Sequence, residues 1–593
     1  MARAFPGLLL LAFALTSPVR AEEPAPAITT LHQLFDDEWE RRLREDPLEA
    51  SQIGDARYND RWPDESLNGI ARSHEGDLAA QRRLAQIDLS KLGARDSLNF
   101  ELFKRALENR IERYRYRDFL MPVNQQGGIQ SAAEDVQRAV RFIRVKDYED
   151  YIARLESFGR YVDQTVALMK QGVEEGRTPP RVLMERLPRQ IEAQISEKPE
   201  DSAFYAPFRQ LPADIADDTR AWLRERALTA IRAVVVPAYR RLLKYFNESY
   251  LAASRGSIAA SALPEGKDYY AWCARYFTTT RLTPEEIHEI GLKEVARIRA
   301  QMDAITDKLA QEGKFKGSFQ QFLEFLRGDP QFYYKTGGEL FTAYQVLAKR
   351  IDPELPKLFG KLPRLTYGVK AIPDDAAPDV TTAYYVPGSP EAGRAGYFYV
   401  NLYKPETRAK YEMEALTLHE SVPGHHLQIA LAQALPDVPQ FRKHNGDAFT
   451  AFVEGWGLYA ESLGDELGLY KDPYSKFGQL TYEMWRAVRL VVDTGIHAKG
   501  WSRAEAINYF KANAAKSELD ITNEVDRYIA WPGQALAYKV GELKIKELRA
   551  RAKEKLGDKF DLRAFHDVVL GSGAVPLDVL ERNVDEYITK TTR

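Results

Sequence analysis

The stretch HESVPGHHLQ, residues 419–428, is the part of the chain from which its fold and function are best predicted. It places imidazole groups on either side of a carboxylate, because His419 precedes Glu420 and the adjacent His425 and His426 follow. Five of the nine histidines in the chain lie between residues 419 and 497. Imidazole and carboxylate groups are common ligands of zinc, so this stretch predicts a metal site.

The spacing of these histidines would not suit one ion in a straight helix. In the zinc-peptidase motif H-E-x-x-H the two histidines lie one turn apart, whereas a straight helix would hold the Cα atoms of His419 and His425 ~9 Å apart and would place His426 ~10 Å along the axis. The proline and glycine between them permit a break in the helix. We therefore expect a looped-out bulge at Val422–Gly424 that brings His425 back to His419. The alternative is a helix that starts at a surface turn, with Glu420 as a solvated carboxylate.

A third ligand is predicted downstream, in the segment DAFTAFVEGWGLYAE, residues 447–461. Its apolar residues recur at helical spacing, and Glu454 lies on or near the apolar face, where a carboxylate is costly unless it is paired or bound to a metal. Two histidines and one glutamate from a second helix would leave an open position for a reactant. Glu461 lies on the same face as Glu454 and would support a ligand or simply be an ordinary surface acid.

Four segments carry a family resemblance: HESVPGHHLQ (419–428), VEGWGLYAE (453–461), DTGIHAKGW (493–501) and WPGQALAYKVGELK (531–544). The chain resembles, from about Leu31 to about Tyr587, the bacterial family named domain of unknown function 885 (DUF885). That family is grouped with a zinc metallopeptidase clan that includes thimet-type oligopeptidases, angiotensin-converting-enzyme-like peptidases and thermostable carboxypeptidases.

The resemblance implies roles for individual residues. His419, His425 and Glu454 would bind zinc, and Glu420 would be the general base. The spacing differs from H-E-x-x-H, which leaves open whether His425 or its neighbour His426 is the second histidine ligand.

Two further residues would act on the substrate if the chain is a peptidase. His497 and Tyr538 would stabilise the oxyanion of the tetrahedral intermediate. Asp493 precedes His497 by one helical turn and would fix its tautomer. A histidine near a helix end and a tyrosine in a helix are also common as purely structural residues.

The expected function is that of a zinc-dependent hydrolase that cleaves short peptides with metal-activated water. Zinc is favoured because the ligands are imidazole and carboxylate and the reaction is not a redox reaction. Two alternatives remain from the sequence. One is a zinc amidase or esterase acting on non-peptide substrates, and the other is a periplasmic binding or scaffold protein whose metal site is vestigial.

The N-terminal residues indicate that the protein is exported from the cytoplasm. Residues 1–21 have a positive start, a short apolar segment and a small-residue cleavage site, as in a signal peptide. Their apolar segment is too short to span a bilayer, so we expect a periplasmic or secreted protein without stable membrane insertion after cleavage. Residues 22–30 would form a disordered leader, followed by an N-terminal helical region at 31–350 and a metal-site region with a small sheet at 351–593.

The composition of the chain gives no support for nucleic-acid binding and none for a disulfide. With 83 basic and 86 acidic residues the chain is nearly neutral, so nothing favours nucleic acid as a partner. The single cysteine, Cys273, rules out an intramolecular disulfide and is expected to be buried.

Long amphipathic segments predict a mainly α fold, and the resemblance implies a large helical two-lobed architecture with a central cleft. Two capping boxes predict helix starts, one at Thr283 and one at Ser502. A small β-sheet is expected between Leu362 and Leu402, just before the metal-site helix, because β-branched and aromatic runs alternate there with glycine and proline. The last of these runs, Tyr397–Leu402, would be either an edge strand that pairs with the substrate backbone or an interior strand.

Overall fold

The helices of the chain determine where its functional side chains lie. A computed structural model describes residues 26–593, apart from 375–376, 379–380, 391–392, 445–448 and 517. The predicted signal peptide and the first two residues of the segment 447–461 lie outside the described residues. The fold is mainly helical with a small three-stranded sheet, as the sequence predicts.

The N-terminal helices precede the sheet, and two short π-helical turns, Ile231–Val235 and Phe246–Tyr250, flank α11. They are α1 (Pro26–Glu45), α2 (Pro47–Ile53), α3 (Leu67–Leu84), α4 (Ala94–Tyr116), α5 (Ala132–Ala139), α6 (Val145–Glu174), α7 (Arg181–Met184), α8 (Leu187–Glu192), α9 (Ala206–Arg209), α10 (Asp217–Ala230), α11 (Val236–Tyr245), α12 (Leu251–Ala253), α13 (Gly266–Thr278), α14 (Pro284–Gln311), α15 (Phe319–Gly328) and α16 (Gly337–Ile351).

The C-terminal helices follow the sheet and carry the predicted metal site. They are α17 (Met413–Glu420), α18 (His425–Gln433), α19 (Gln440–His444), α20 (Thr450–Ser462), α21 (Pro473–His497), α22 (Arg503–Asn513), α23 (Glu518–Ala530), α24 (Ala537–Leu556), α25 (Leu562–Leu570) and α26 (Leu577–Thr592).

Both predicted capping boxes are present. At the start of α14 the Thr283 hydroxyl accepts a hydrogen bond from the Glu286 N–H at 3.2 Å, and the Glu286 carboxylate accepts one from the Thr283 N–H at 2.8 Å. Ser502 and Glu505 form the same reciprocal pair at the start of α22. Each pair satisfies two of the N–H groups that a helix start would otherwise leave without partners.

The first helix begins earlier than the sequence indicates. Residues 26–30, which we assigned to a disordered leader, form the first turn of α1. Leu31, Leu34 and Phe35 then bury one face of this helix in the core, and that packing stabilises the turn before it.

The sheet contains β1 (Tyr367–Ala371), β2 (Ala383–Val386) and β3 (Gly396–Val400) in the order β1-β3-β2. β3 pairs in parallel with β1 and antiparallel with β2. The three β-branched and aromatic runs that predict the sheet, residues 365–369, 382–386 and 397–401, correspond to these strands to within two residues. The edge-strand interpretation of Tyr397–Leu402 is wrong, because β3 has a partner on each side and no free edge for a substrate backbone.

The hydrophobic core contains two large clusters. One is built mainly on α6, α10, α11, α14 and α21–α23, and the other on α1, α4, α16, the sheet, α17, α20 and α24–α26. Each cluster takes residues from both sides of position 350, so the two predicted regions at 31–350 and 351–593 share their cores. Cys273 is buried, as expected.

In the part of the chain that the structure describes, none of the helices combines the length and the apolar character needed to cross a bilayer.

Candidate metal centre

The break between α17 and α18 brings the two ends of the HESVPGHHLQ stretch together. α17 ends at Glu420 and α18 begins at His425, so the helix stops where only a bulge was predicted. The His426 N–H donates to the Ser421 carbonyl at 3.0 Å across the break. Position 424 must be glycine, because a Cβ there would lie 1.9 Å from the carbonyl oxygen of His419.

Three side chains converge at this break: His419 from α17, His425 from α18 and Glu454 from α20. Glu454 Oε2 lies 3.4 Å from His419 Nε2 and 3.5 Å from His425 Nε2. The two imidazole rings stand nearly perpendicular, with centroids 4.7 Å apart. One ligand atom from each residue lies within 4.8 Å of the others. The structure thus brings together the three residues predicted to bind the metal, and we call them the triad.

The triad has the dimensions of a zinc site. Two ligands of a tetrahedral zinc ion, each ~2.1 Å from the metal, lie ~3.4 Å apart. The distances from Glu454 to the two histidines match that value and exceed the range of about 2.7–3.2 Å typical of a hydrogen bond. Glu454 Oε2 is a buried atom with no hydrogen-bond partner within the described residues. A buried carboxylate oxygen costs free energy unless a cation or donor compensates it, so the residues present fit a zinc ion.

A second carboxylate fixes the orientation of His419. His419 Nδ1 donates to Glu461 Oε1 at 2.8 Å, which leaves Nε2 facing Glu454 and free to bind a metal. Glu461 is fully buried, and the Arg486 guanidinium lies 3.5 Å from the same oxygen. Glu461 is therefore not a surface acid. It contacts His419, one of the predicted ligands, and a carboxylate is a usual outer partner of a metal-binding histidine.

Gly457 leaves the space that the His419 ring occupies. A Cβ at this position would lie 2.8 Å from both Cε1 and Nε2 of the ring. The glycine one turn after Glu454 therefore lets α20 approach α17 closely enough for both side chains to reach one point.

Glu420 lies beside the triad without belonging to it. Its side chain is partly buried, and among the described residues no hydrogen bond or ion pair engages its carboxylate. Burial raises the pKa of Glu420, and Glu454 adds to that effect, while His419 and His425 oppose it. A carboxylate with a raised pKa and no protein partner is suited to take a proton from water.

The charges of the site favour a divalent cation. Glu420, Glu454 and Glu461 carry three negative charges, and Arg486 supplies one positive charge. With neutral imidazoles, two negative charges remain.

When no cation is bound, the charges within the site shift the pKa values of His419 and Glu454. Burial alone would lower the pKa of His419, but the neighbouring carboxylates of Glu454 and Glu461 raise that pKa to about 9. Burial would raise the pKa of Glu454, yet the two histidines hold it well below its ordinary value.

His426 is not the second histidine ligand. The Tyr385 hydroxyl lies 2.8 Å from its Nδ1, and its Nε2 donates to the Leu365 carbonyl at 3.1 Å. Both ring nitrogens are therefore engaged by the segment around the sheet. Burial lowers the pKa of His426 to about 4, so the ring is neutral. Of these two adjacent histidines, His425 is the one that belongs to the triad.

His497 does not have the predicted role. It is fully buried at the end of α21, where its Nδ1 accepts a hydrogen bond from the Ala260 N–H at 2.9 Å and its Nε2 donates to the Tyr528 carbonyl at 3.0 Å. Both nitrogens are used, so neither can stabilise an oxyanion. Asp493 does not fix the tautomer either, because it accepts from the Tyr270 hydroxyl and the Gly533 N–H.

The burial of His497 predicts a pH-dependent stability. Burial lowers its pKa to about 3, whereas an unfolded chain protonates histidine near pH 6.5. Between these values the unfolded state binds more protons, so the free energy of unfolding falls by about 1.4 kcal/mol per pH unit for this residue as the pH drops. We expect His497→Asn to lower that free energy by about 1–3 kcal/mol at pH 7.5 and to reduce its dependence on pH between 6 and 4.

Urea unfolding midpoints measured across this pH range check the expectation. His32→Asn is the matched control, because His32 is 45% exposed in its side chain. An unchanged pH dependence in His497→Asn would contradict it.

Tyr538 lies in the first turn of α24, which packs against α20. A Cβ at Gly541 would lie 1.8 Å from the Ala451 carbonyl oxygen, so the two helices touch one turn after Tyr538 and next to Glu454. The Tyr538 hydroxyl accepts from Arg527 Nη2 at 3.3 Å and from Gln534 Nε2 at 3.5 Å. Its own hydrogen finds no acceptor among the described residues, which leaves it available to a substrate.

Comparison with solved structures gives two similar chains. A crystal structure described as the "putative lipoprotein" from Colwellia psychrerythraea has 29% sequence identity and a TM-score of 0.90, over 95% of this chain and 99% of that one. A structure described as a "putative lipoprotein of unknown function" from Shewanella oneidensis has 17% identity and a TM-score of 0.69, over 94% and 99% of the two chains, and shows the fold alone. No curated protein matches the sequence significantly.

A family comparison covers most of the chain. Residues 47–584 match the family described as bacterial protein of unknown function (DUF885). The chain therefore belongs to this family, as the four segments quoted from its sequence predict.

Proposed function

We propose that this member of the bacterial DUF885 family is a zinc-dependent hydrolase that cleaves short peptides outside the cytoplasm. The observation that carries the proposal is the convergence of His419 Nε2, His425 Nε2 and Glu454 Oε2, in which Glu454 lies from each histidine at the distance expected between two ligands of tetrahedral zinc. The related "putative lipoprotein" of Colwellia psychrerythraea supports an extracytoplasmic location.

His419, His425 and Glu454 would hold the metal, with Glu461 fixing His419. The chemistry that zinc supplies in such a site is Lewis acidity, which polarises a carbonyl group and lowers the pKa of a bound water to about 7. The ligand set of two imidazoles and one carboxylate favours zinc over metals that serve in redox reactions.

Glu420 is the general base of the proposed reaction. Its partly buried carboxylate accepts a proton from the attacking water and transfers it to the nitrogen of the leaving amine. Because burial raises its pKa, the carboxyl group holds that proton more readily than an exposed glutamate would. A purely structural zinc site needs no such free carboxylate next to its ligands.

Tyr538 is the proposed oxyanion donor. Its hydroxyl receives hydrogen bonds from Arg527 and Gln534, and those bonds orient its remaining hydrogen. Hydrogen bonds that strengthen as negative charge develops on the carbonyl oxygen stabilise the transition state. His497, which the sequence also assigned to this role, has no free nitrogen.

Peptides are proposed as substrates because the family that the four quoted segments resemble is grouped with a clan of zinc peptidases. Metal analysis of purified protein, followed by incubation with a peptide mixture and with panels of amides and esters, tests this. We expect about one zinc ion per chain and cleavage of peptides that a chelator abolishes and added zinc restores. Cleavage of esters or non-peptide amides alone would replace the peptidase by another zinc hydrolase. A metal-free protein without turnover would favour a binding or scaffold protein.

A further inference from the structure

Two arginines next to Tyr538 share a single glutamate. Arg489 of α21 donates from Nη2 to Glu524 Oε2 at 3.0 Å, and Arg527 of α23 lies 3.4 Å from Glu524 Oε1. We call Arg489 and Arg527 the arginine pair. The next acid, Asp493, is engaged by Tyr270 and by the backbone of Gly533. Glu524 is the one carboxylate among the described residues that forms an ion pair with either arginine.

Each arginine also keeps a donor without a partner. Arg489 Nη1 and Arg527 Nε are buried atoms that make no hydrogen bond to any residue the structure describes. Arg489 is only 2% exposed, and its guanidinium carbon lies 4.3 Å from the centre of the Tyr538 ring. A buried charged donor without an acceptor costs free energy, and the cost is recovered when an anion binds. With the free hydrogen of Tyr538, the unpaired groups here are all donors.

The arginine pair is connected to the triad through α21, which carries Arg489, and through α24, which carries Tyr538. α24 touches α20 at Gly541 and Gly455, one residue after Glu454, and Tyr538 precedes Gly541 by about 5 Å along the helix axis. On α21, Arg486 lies one turn before Arg489 and reaches Glu461, the partner of His419. The unpaired donors and the triad are thus joined by direct contacts of α20, α21 and α24.

We infer that the arginine pair binds a carboxylate of the peptide substrate, so that the enzyme selects peptides with a negative charge close to the cleaved bond. This inference rests on the proposed function. The Arg527 guanidinium contacts the Tyr538 hydroxyl through Nη2 at 3.3 Å, and its unpaired donor is the adjacent Nε. With the scissile carbonyl at the Tyr538 hydroxyl, this Nε lies within one or two peptide residues, each of which spans ~3.5 Å. The carboxylate therefore belongs to one of the first residues beyond the scissile bond, as the α-carboxylate of the chain end or as an aspartate or glutamate side chain.

Matched peptides separate these two sources. One pair differs only in a free or amidated C-terminus, and a second, amidated pair differs only in glutamate or glutamine next to the scissile bond. For the preferred source we expect kcat/KM to be about 10-fold or more higher with the charged peptide, since a charge-assisted hydrogen bond is lost in its neutral partner. Equal kcat/KM within both pairs would overturn the inference while leaving the peptidase proposal intact.

Substitution of Arg527 tests the assignment to the pair. Arg527→Gln is expected to raise KM for the charged peptide about 10-fold and to leave KM for the neutral peptide unchanged, and Arg527→Lys should restore part of the loss. The variant also loses a hydrogen bond to the Tyr538 hydroxyl, which lowers kcat for both peptides alike. Arg551→Gln, on the exposed side of α24 among Glu547, Glu581 and Asp585, is the matched control. Thermal denaturation of each variant identifies any that fails to fold. An equal change of KM for both peptides would show that Arg527 does not bind the carboxylate and would overturn the inference.

A binding measurement separates failure of this inference from failure of the proposed function. Calorimetry with Glu420→Gln protein compares the free-acid peptide with its amide, and turnover is not needed. Tighter binding of the acid that Arg527→Gln removes supports the carboxylate site even if the wild-type protein cleaves nothing. Equal binding of acid and amide overturns the site even if peptides are cleaved.

Discussion

Replacing Glu420 by glutamine is expected to lower kcat by about 10²–10⁴-fold and to leave the zinc content at the wild-type level. Glutamine has nearly the same shape as glutamate, but it cannot accept the proton of the attacking water. Glu420 lies outside the triad and has no partner among the described residues, so its replacement breaks no metal–ligand contact and no hydrogen bond of the fold.

The measurements are steady-state kinetics on a cleaved peptide and metal analysis of the same preparation. Glu414→Gln is the matched control, because Glu414 lies on α17 six residues earlier and pairs with Arg350. We expect this control to keep its kcat and its zinc. Full activity in Glu420→Gln would remove Glu420 from the mechanism, and loss of zinc would mean that it is a ligand.

The local features of the fold could be predicted from the sequence because short-range interactions determine them. The capping boxes at Thr283 and Ser502 involve residues only three apart, and the amphipathic period of α6 and α14 is set within the helix itself. The three strands were also placed within two residues. Their order was not predictable, since the pairing of β1 with β3 joins segments about 30 residues apart.

For the candidate site, the sequence predicts which types of side chain converge better than it predicts which of two neighbouring residues takes part. The expectation that His419, His425 and Glu454 converge is confirmed, because a break at Pro423–Gly424 and an acid on an apolar face are both local signals. The choice between His425 and His426 depended on how α18 is rotated about its axis after the break. The number of residues between the histidines does not determine that rotation.

The burial of His497 could not be predicted, because its two partners come from residues 260 and 528, far away in the chain. The arginine pair was missed for a similar reason. An arginine on the mostly apolar helix α21 is a sequence signal, but the shared Glu524 and the unpaired donors emerge only when α21 and α23 pack together.

The adjacent histidines are expected to respond in opposite ways to the same substitution. His425→Ala removes one of three proposed ligands, and we expect zinc affinity to fall by about 100-fold or more, since loss of even an outer partner of a ligand costs about 10–100-fold. His426→Ala leaves the triad intact. It removes contacts with the Tyr385 hydroxyl and the Leu365 carbonyl, so the free energy of unfolding should fall by about 1–3 kcal/mol while zinc stays bound.

Each variant is the control for the other, because both lose one imidazole from the first turn of α18. Competition with a chromogenic chelator gives the zinc affinity, and thermal denaturation in the presence of chelator gives the stability of the fold alone. The proposal predicts a loss of zinc affinity in His425→Ala and a loss of stability in His426→Ala. A variant His426→Ala that releases zinc, beside His425→Ala that retains it, would move the second ligand by one residue and rotate the start of α18 away from Glu454.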